Sequence, residues 1–510
     1  MTTPEPARAP LDPVQAALAA ARRLHPMSWL FVLLQQLKHF IAPLVLIFVF
    51  GQQGDREELW PLVGVAALVL LSVWQYFTYR FGIADDRLVV RSGLLERSVR
   101  VIPFARIHNV ALQQTLLHRL FGVAEVRLES AGGTRPEAEM RVLKMSDALA
   151  LEALIRRRAH AAAPSDAESI VSADERRTLL ALPLGEVIRL GLISNRGMLV
   201  VGAGFAGVSQ FDSRLLGEGM EWLGRTMLDS ADVAQFGPRD YVLGALAVVG
   251  AALALVRLLS VVLALLQYYG FTLTEEHDRL TVERGLLARL RTSAARRRIQ
   301  AWTLREGVLH RLFGRRSLLV DTAVGDQQHN GQARSLRELA PIATPAQCDG
   351  LIAHLLPHAG WGTFDWHGVS QRQWWRLWLP SLAWVALATG ALVWRFGAPG
   401  LLLLLWLPWA AYAARRHLRA AGYALNDAVL AVREGWWSRH WRWAELDKLQ
   451  ALRLTRSPLD RRCGTATLWL DTAGANPLAP PLRVRYLPES EARALHDRLA
   501  ALMAARPMRW

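Results

Sequence analysis

The sequence predicts an α+β membrane protein in which pairs of apolar helices alternate with small β modules. Three observations predict it. Six mostly apolar stretches, each close to the roughly 20 residues that a spanning helix needs, fall in three pairs. Polar, arginine-rich segments with strand-like alternation follow each pair. Those segments also repeat: Gly93 and Gly122, Gly285 and Gly314, and Gly435 and Gly464 bound three stretches with the same 29-residue spacing.

Composition supports this class. Of 510 residues, 52% are hydrophobic and 20% charged, which excludes disorder for most of the chain. A net charge of +16 suits a nucleic-acid binder or a membrane protein with its basic parts on one side. The 20 tryptophans and long apolar runs favour the second, so no nucleic-acid partner is expected. Cys348 and Cys463 are too few for a disulfide framework or a four-thiolate zinc site.

In chain order, residues 1–27 read as a cytoplasmic tail, with arginines but no signal-peptide core. Residues 28–78 hold the first helix pair, about 30–50 and 60–78, with Lys38 and His39 inside the first helix. Residues 79–160 form the first module and 161–186 a linker. Residues 187–267 hold the second pair, about 188–208 and 241–266, around an external connector at 209–240. The second module spans 268–358, a linker 359–373, the third pair 374–414, and the third module 415–506. The third pair is about 377–395 and 399–414; its last helix is short and contains Pro408. Fifty of the 60 lysines and arginines lie in the tail and in the segments after each pair, whereas the connectors 51–60 and 209–240 are net acidic. The positive-inside rule therefore places the modules and both termini in the cytoplasm.

Within the first module the pattern reads as a strand at Ile83–Gly93, a glycine turn and a second strand at Glu96–Phe104. A third strand lies around Ile107–Val110, a helical turn at Gln114–Phe121 and a further strand at Ala124–Ser130. Amphipathic helices close the copies at Asp147–His160, Pro345–Leu356 and Glu489–Ala504. Several short strands and one closing helix make a small sandwich or barrel.

The anchors Thr272-Leu273-Thr274, Asp278, Leu280, Gly285-Leu286-Leu287, Ile299-Gln300, Leu312 and Gly314 define a pattern. The first copy shares it at Asp85, Leu88, Gly93, Ile107-His108-Asn109, Leu120 and Gly122. This pattern, with the entry at Arg23–Pro26, resembles the YdbS/YdbT-like bacterial PH-domain membrane proteins, nearest to the type with three copies. The third copy departs from it at Trp436-Trp437 and Cys463. The resemblance implies two bent antiparallel sheets closed by a helix, in a multi-pass protein of the bacterial inner membrane. It implies no catalytic residue and no cofactor, hence a non-enzymatic protein, and suggests a role in envelope maintenance or stress resistance.

Arg289, Arg291, Arg296, Arg297 and Arg298 could touch anionic headgroups; at strand spacing Arg289 and Arg291 share a face, as do Arg296 and Arg298. Trp437, Trp441 and Trp443 share strand parity and suit a membrane interface, although core packing competes for them. Arg257, deep in an apolar span, is a candidate functional charge that could pair with another helix's polar group or line a transport path, while Lys38, Arg189, Arg196 and Arg376 can snorkel to the cytoplasmic surface. Gly202–Gly207 satisfies GxGxxG but sits inside a span, where small residues serve helix packing rather than a nucleotide. Glu275, Glu276, His277 and Asp278 read as a hairpin turn; without a second histidine at ligand spacing no metal is expected. The expected function is a scaffold whose modules bind membrane lipids, another copy or a partner membrane protein. A transporter or channel component is the alternative, and a lipid-modifying enzyme a third reading.

Overall fold

The computed structural model describes residues 22–23, 28–31, 33–34, 67, 69–70, 74, 78–84, 87–92, 98–104, 107–130, 138–161, 176–211, 221, 238–276, 278–322, 336–473 and 479–505. The two spans expected at about 30–50 and 60–78 lie almost wholly outside the described residues, as do Lys38, His277 and most of the 161–186 and 209–240 segments.

The first module contains β1 (Arg22–Arg23), β2 (Arg80–Ala84), β3 (Arg87–Ser92), β4 (Ser98–Pro103), β5 (Ile107–Gln114), α1 (Leu116–Leu120), β6 (Val123–Ser130), β7 (Ala138–Lys144) and α2 (Met145–Ala161). Next come β8 (Arg177–Ala181) and helices α3 (Leu184–Ile193), α4 (Arg196–Phe211) and α5 (Pro238–Tyr268). The second module follows with β9 (Thr272–Glu276), β10 (Arg279–Arg284), β11 (Arg289–Ala295), β12 (Ile299–Glu306), α6 (Val308–Leu312), β13 (Arg316–Thr322), β14 (Glu338–Ala343) and α7 (Pro345–Leu355). Then come β15 (His367–Gly368), α8 (Trp374–Phe396) and α9 (Trp406–Ala420). The third module has β16 (Gly422–Leu425), β17 (Val429–Glu434), β18 (Arg439–Glu445), β19 (Leu449–Thr455), α10 (Pro458–Cys463), β20 (Thr465–Thr472), β21 (Arg483–Pro488) and α11 (Glu489–Ala504).

Local sequence explains the turns. Gly285 and Gly435 adopt φ of +112° and +96°, and a Cβ at either would stand 2.0 Å from the carbonyl oxygen of Ala288 or Ser438. Only glycine permits that hairpin. Thr344 with Gln347, and Ser457 with Asp460, form capping boxes that start α7 and α10. The single strand expected at Ile83–Gly93 is instead the hairpin β2–β3. In the second copy Asp278, with φ +63°, supplies the equivalent turn. Strands β7, β14 and β21, just before each closing helix, are additions to the expected set; β7 (Ala-Glu-Met-Arg-Val) and β21 (Arg-Val-Arg-Tyr) alternate, whereas β14 does not.

The sheets do not respect the module boundaries. One sheet runs β1-β2-β3-β4, the next β7-β6-β5-β11-β10-β9-β8, the next β14-β13-β12-β18-β17-β16-β15, and the last β19-β20-β21. Strand β5 of the first module pairs antiparallel with β11 of the second, and β12 of the second with β18 of the third. Two seven-stranded sheets therefore each join neighbouring modules, and at the second joint the core is shared as well. One buried cluster includes Leu280, Trp302 and Leu339 of the second module and Ala424, Val429 and Trp443 of the third. Strand β12 is buried from Ile299 to Leu304, as a strand flanked on both edges and covered on both faces should be.

Two described helices are long and apolar enough to cross a membrane: Leu246–Tyr268 in α5, with mean hydropathy 2.5, and Gln371–Phe396, with 1.6. Helices α3 and α4 add a third if they count as one span bent by 56°. The sixth expected span resolves into a 3-10 segment at Ala398–Leu405 followed by α9. The chain doubles back so tightly there that a Cβ on Gly400 would lie 2.6 Å from the Val393 nitrogen.

Candidate membrane-facing site

At the end of the second module nearest the helices lie an apolar loop after β10 and the short helix α6. In the second module the Gly285-Leu286-Leu287 loop rides on the C-terminal end of α5. The Gly285 N–H donates to the Tyr269 carbonyl at 2.9 Å and the Leu286 N–H to the Leu266 carbonyl at 3.0 Å. The α1 helix of the first module stands beside that loop: Arg119 Nη1 donates to the Leu286 carbonyl at 3.1 Å. The arrangement recurs one module on, where Arg311 of α6 donates from Nη2 to the Trp437 carbonyl at 3.0 Å. Both arginines are the third residue of Leu-His-Arg-Leu-Phe-Gly, so the repeated hexapeptide joins modules as well as turning the chain.

Large apolar side chains project from this rim. Leu116, Leu117, Leu120 and Phe121, then Leu286 and Leu287, then Leu312, Phe313 and Trp437 are all exposed, Leu120 and Leu312 at 76% each. Exposed apolar groups scattered singly need no explanation, but a row of them at one end of successive modules does. Trp436 packs against Trp409 and Tyr412 of α9, which fixes the third module's loop to its own helix.

Behind the rim, a polar network ties the helices to the sheet. Glu338 of β14 pairs with Arg284 of β10 at 2.5 Å and accepts from the Tyr268 hydroxyl at 2.5 Å. Arg196, at the start of α4, reaches the same carboxylate at 3.4 Å, and both arginines lie over the Tyr268 ring. Burial alone would raise the Glu338 pKa, but Arg284 and Arg196 outweigh it and hold the carboxyl below its ordinary range. An open cleft of about 270 Å³ lies at the same end of the first joint, lined by Gln114, Tyr269, Glu283, Arg284, Arg289 and Arg291 among others.

The five arginines expected at headgroups separate. Arg289 is exposed beside the Gly285 loop, at the helix end of β11. Arg291 is engaged by Glu152 at 3.7 Å and Glu283 at 3.6 Å, so it serves the joint. Arg296–Arg298 form a 3-10 turn rather than a strand, which removes the expected face-sharing of Arg296 and Arg298. The turn lies at the other end of β11, against the β9–β10 hairpin: the Arg296 N–H donates to the Asp278 carbonyl at 2.8 Å. A seven-residue strand separates it from the rim by about 20 Å. Arg296 approaches Glu275 at 3.9 Å, and Glu275 is held by His354 at 2.5 Å.

The tryptophans separate as well. Trp437 is exposed on the loop, 60% of its surface open. Trp443 is fully buried, stacked on Trp302 across the second joint with ring centroids 6.4 Å apart and touching Trp361. Trp441 is half-buried on the same core, with Arg316 over its ring. Burial removes Trp443 from any interface, because Trp302 of the neighbouring module and Trp361 pack against its ring; Trp441 keeps part of its surface open.

Arg257 closes a helix break. Its Nη1 donates to the Ser194 carbonyl at 3.1 Å and to Asn195 Oδ1 at 3.0 Å, between α3 and α4. It satisfies a carbonyl that the break leaves without its intrahelical donor. Close helix approach comes from Gly191 and Gly197, whose Cβ atoms would lie within 2.5 Å of α5 atoms, whereas Gly202, Gly204 and Gly207 have open space there. Arg376 pairs with Asp460 at 2.7 Å, tying α8 to α10.

The bacterial PH domain family matches this chain over residues 30–159, 230–344 and 376–503. The first and third matches begin within helices, the second begins in the connector just before α5, and each ends in or next to a closing helix, so the repeating unit takes in its apolar segment. The chain is similar to UPF0699 transmembrane protein YdbT of Bacillus subtilis (strain 168), with 23% identity over 321 residues. That match covers 58% of this chain and 62% of the relative's own length. No solved structure matches.

Proposed function

This chain belongs to the bacterial PH domain family, and from that premise we propose that it is a non-enzymatic membrane scaffold whose linked modules rest on the bilayer surface. The observation that carries this is the apolar rim. The leucine, phenylalanine and tryptophan tips of successive modules stand exposed at the end where the helices arrive. Such tips gain free energy on entering the interfacial region, at roughly 25 cal/mol per Å² of apolar surface removed from water. Arg289, exposed at the same level beside the cleft, would meet anionic headgroups, at about 1 kcal/mol for a basic residue near such a surface. The six apolar stretches of the sequence support six spans, and the arginine distribution supports cytoplasmic modules at an inner membrane. Envelope maintenance enters through the family resemblance alone. A transport path has less support, because Arg257 is committed to the break between α3 and α4.

The test is immersion depth in the full chain, reconstituted in bilayers. Nitroxide labels at Leu120, Leu312, Trp437 and, as the control, Arg297 would be compared by oxygen and aqueous-relaxer accessibility. We expect the first three to sit at interfacial depth and Arg297 in water. Water-like accessibility at all four positions would discard the membrane-resting arrangement and leave protein binding as the modules' work.

A further inference from the structure

The same joint is built twice with one register. Arg291 lies opposite Leu112 in the first joint and Trp441 opposite Leu304 in the second. Arg291 and Trp441 each follow their anchor glycine, Gly285 or Gly435, by six residues; Leu112 and Leu304 each precede theirs, Gly122 or Gly314, by ten. Each module thus offers one edge from its first sheet and one from its second. Two edges remain at the ends of the array: β4 of the first module and β19 of the third, each with a strand neighbour on one side only among the described residues.

We propose that these two edges pair between copies of this chain, head to tail, in that register. Val99 would lie opposite Leu454, Arg100 opposite Arg453, and Val101 opposite Leu452. The side chains at the open edges fit a partner of this chemistry. Val99 and Val101 are exposed at 47% and 39%, at the positions where Trp441 and Trp443 are covered in the second joint. Gln450, Ala451 and Arg453 of β19 are exposed, whereas Gln300, Ala301 and Thr303 at the same positions of β12 are buried. The charge pair recurs too. Arg442 of the third module crosses the second joint to Asp321 of the second at 2.5 Å and to Thr303 at 2.9 Å. Arg100 stands at the Arg442 position and Asp471 at the Asp321 position, seven residues after their respective anchor glycines, and both are exposed. Arg453 replaces Thr303, so Asp471 would lie between two arginines and offset their repulsion across the strands. Arg461, exposed on α10, occupies the place from which Arg119 and Arg311 reach the next module's loop.

A heterologous contact of this kind closes into a ring or continues as a filament, according to its rotation. It does not depend on whether the rim touches lipid, and is a statement about strand edges alone.

The experiment uses the full chain in its membrane, with Cys463→Ser as background; Cys348 is buried, and burial pushes its thiol up to about 12, so it stays unreactive. Val99→Cys and Leu454→Cys are placed on separately tagged copies, co-expressed and oxidised. We expect a disulfide-linked species of twice the mass carrying both tags, with at least tenfold less from Val99→Cys alone. Val99→Cys with Arg453→Cys, one residue out of register, should also give at least tenfold less. Arg100→Glu should reduce linkage several-fold and Asp471→Arg in the partner copy should restore it. With unfolding midpoints matching the parent chain, an absent mixed disulfide overturns the proposal. So does linkage of Val99→Cys to a different protein. A doubly substituted chain that links at monomer mass would overturn it in favour of closure within one molecule.

Discussion

Asp321→Asn is the sharpest probe of the joints. Arg442 and Asp321 are 3% and 6% exposed, and they belong to different modules across the paired strands β12 and β18. The surroundings are already cationic: burial, then Arg337 and Arg442, push the Arg305 pKa down. Removing the one carboxylate charge leaves Arg442 buried with no counterion and with Arg305 nearby. Breaking a buried pair in this way costs about 3–5 kcal/mol. If the joined modules unfold as a unit of domain size, that corresponds to a fall in midpoint of roughly 6–20 °C. Thermal unfolding in nanodiscs, followed by tryptophan fluorescence, reads it directly, because Trp302, Trp361 and Trp443 stack at the same joint. Replacing both partners, Asp321→Leu with Arg442→Met, should recover most of the loss. A single variant within 2 °C of the parent would mean that the pair is hydrated, and the reasoning about the joint would fall with it.

Two further outcomes follow from the same geometry. His440 is neutral in the fold: burial, then Arg305, His417 and Arg442, push its pKa down to about 4. The unfolded histidine titrates near its ordinary value of about 6.5, so its contribution is complete above that pH and is lost as pH falls towards 4. Midpoints should therefore decline over that window with a shallower slope in His440→Gln, and parallel slopes would exclude His440 as the cause. Arg257→Leu should cost about 1–3 kcal/mol by stranding the Ser194 carbonyl and Asn195. Protease cutting near the α3–α4 break should rise in that variant; an unchanged digestion pattern would return Arg257 to the list of pathway residues.

What the sequence made legible was the repeat. Two glycines at constant spacing marked the loops because those loops force positive φ or a C-terminal helix stop, and chemistry at such points is narrow. The starts of the closing helices at Pro345 and Glu489 were legible because proline and acidic residues favour a first helical turn. The joints were not, because alternation reports which face of a strand is covered and says nothing of which chain segment pairs with its edge. Trp443 illustrates the gap. An aromatic beside arginines on a strand reads the same at a membrane surface and in a core; only the pairing of β18 with β12 decides. Arg296–Arg298 illustrates another: the triplet's density was visible, but its distance from the rim depends on strand direction after the Gly285 hairpin. One signal for the joints is present in the sequence. Arg119 and Arg311 sit at identical places in identical hexapeptides on an exposed helix, where packing within one module gives an arginine no work.

Edge strands expose backbone donors and acceptors that favour pairing, and proteins commonly blunt them with charge. Here the two terminal edges carry charge in complementary places, with Arg100 on one and Asp471 beside the other. That pattern opposes pairing of either edge with itself, since two β4 strands would bring arginines together and two β19 strands would do the same with Arg453. It leaves the head-to-tail combination as the one in which a carboxylate meets the guanidinium. Tethering all modules to one membrane then raises their effective concentration, so a joint too weak to hold soluble modules together can still set the spacing of copies along the bilayer.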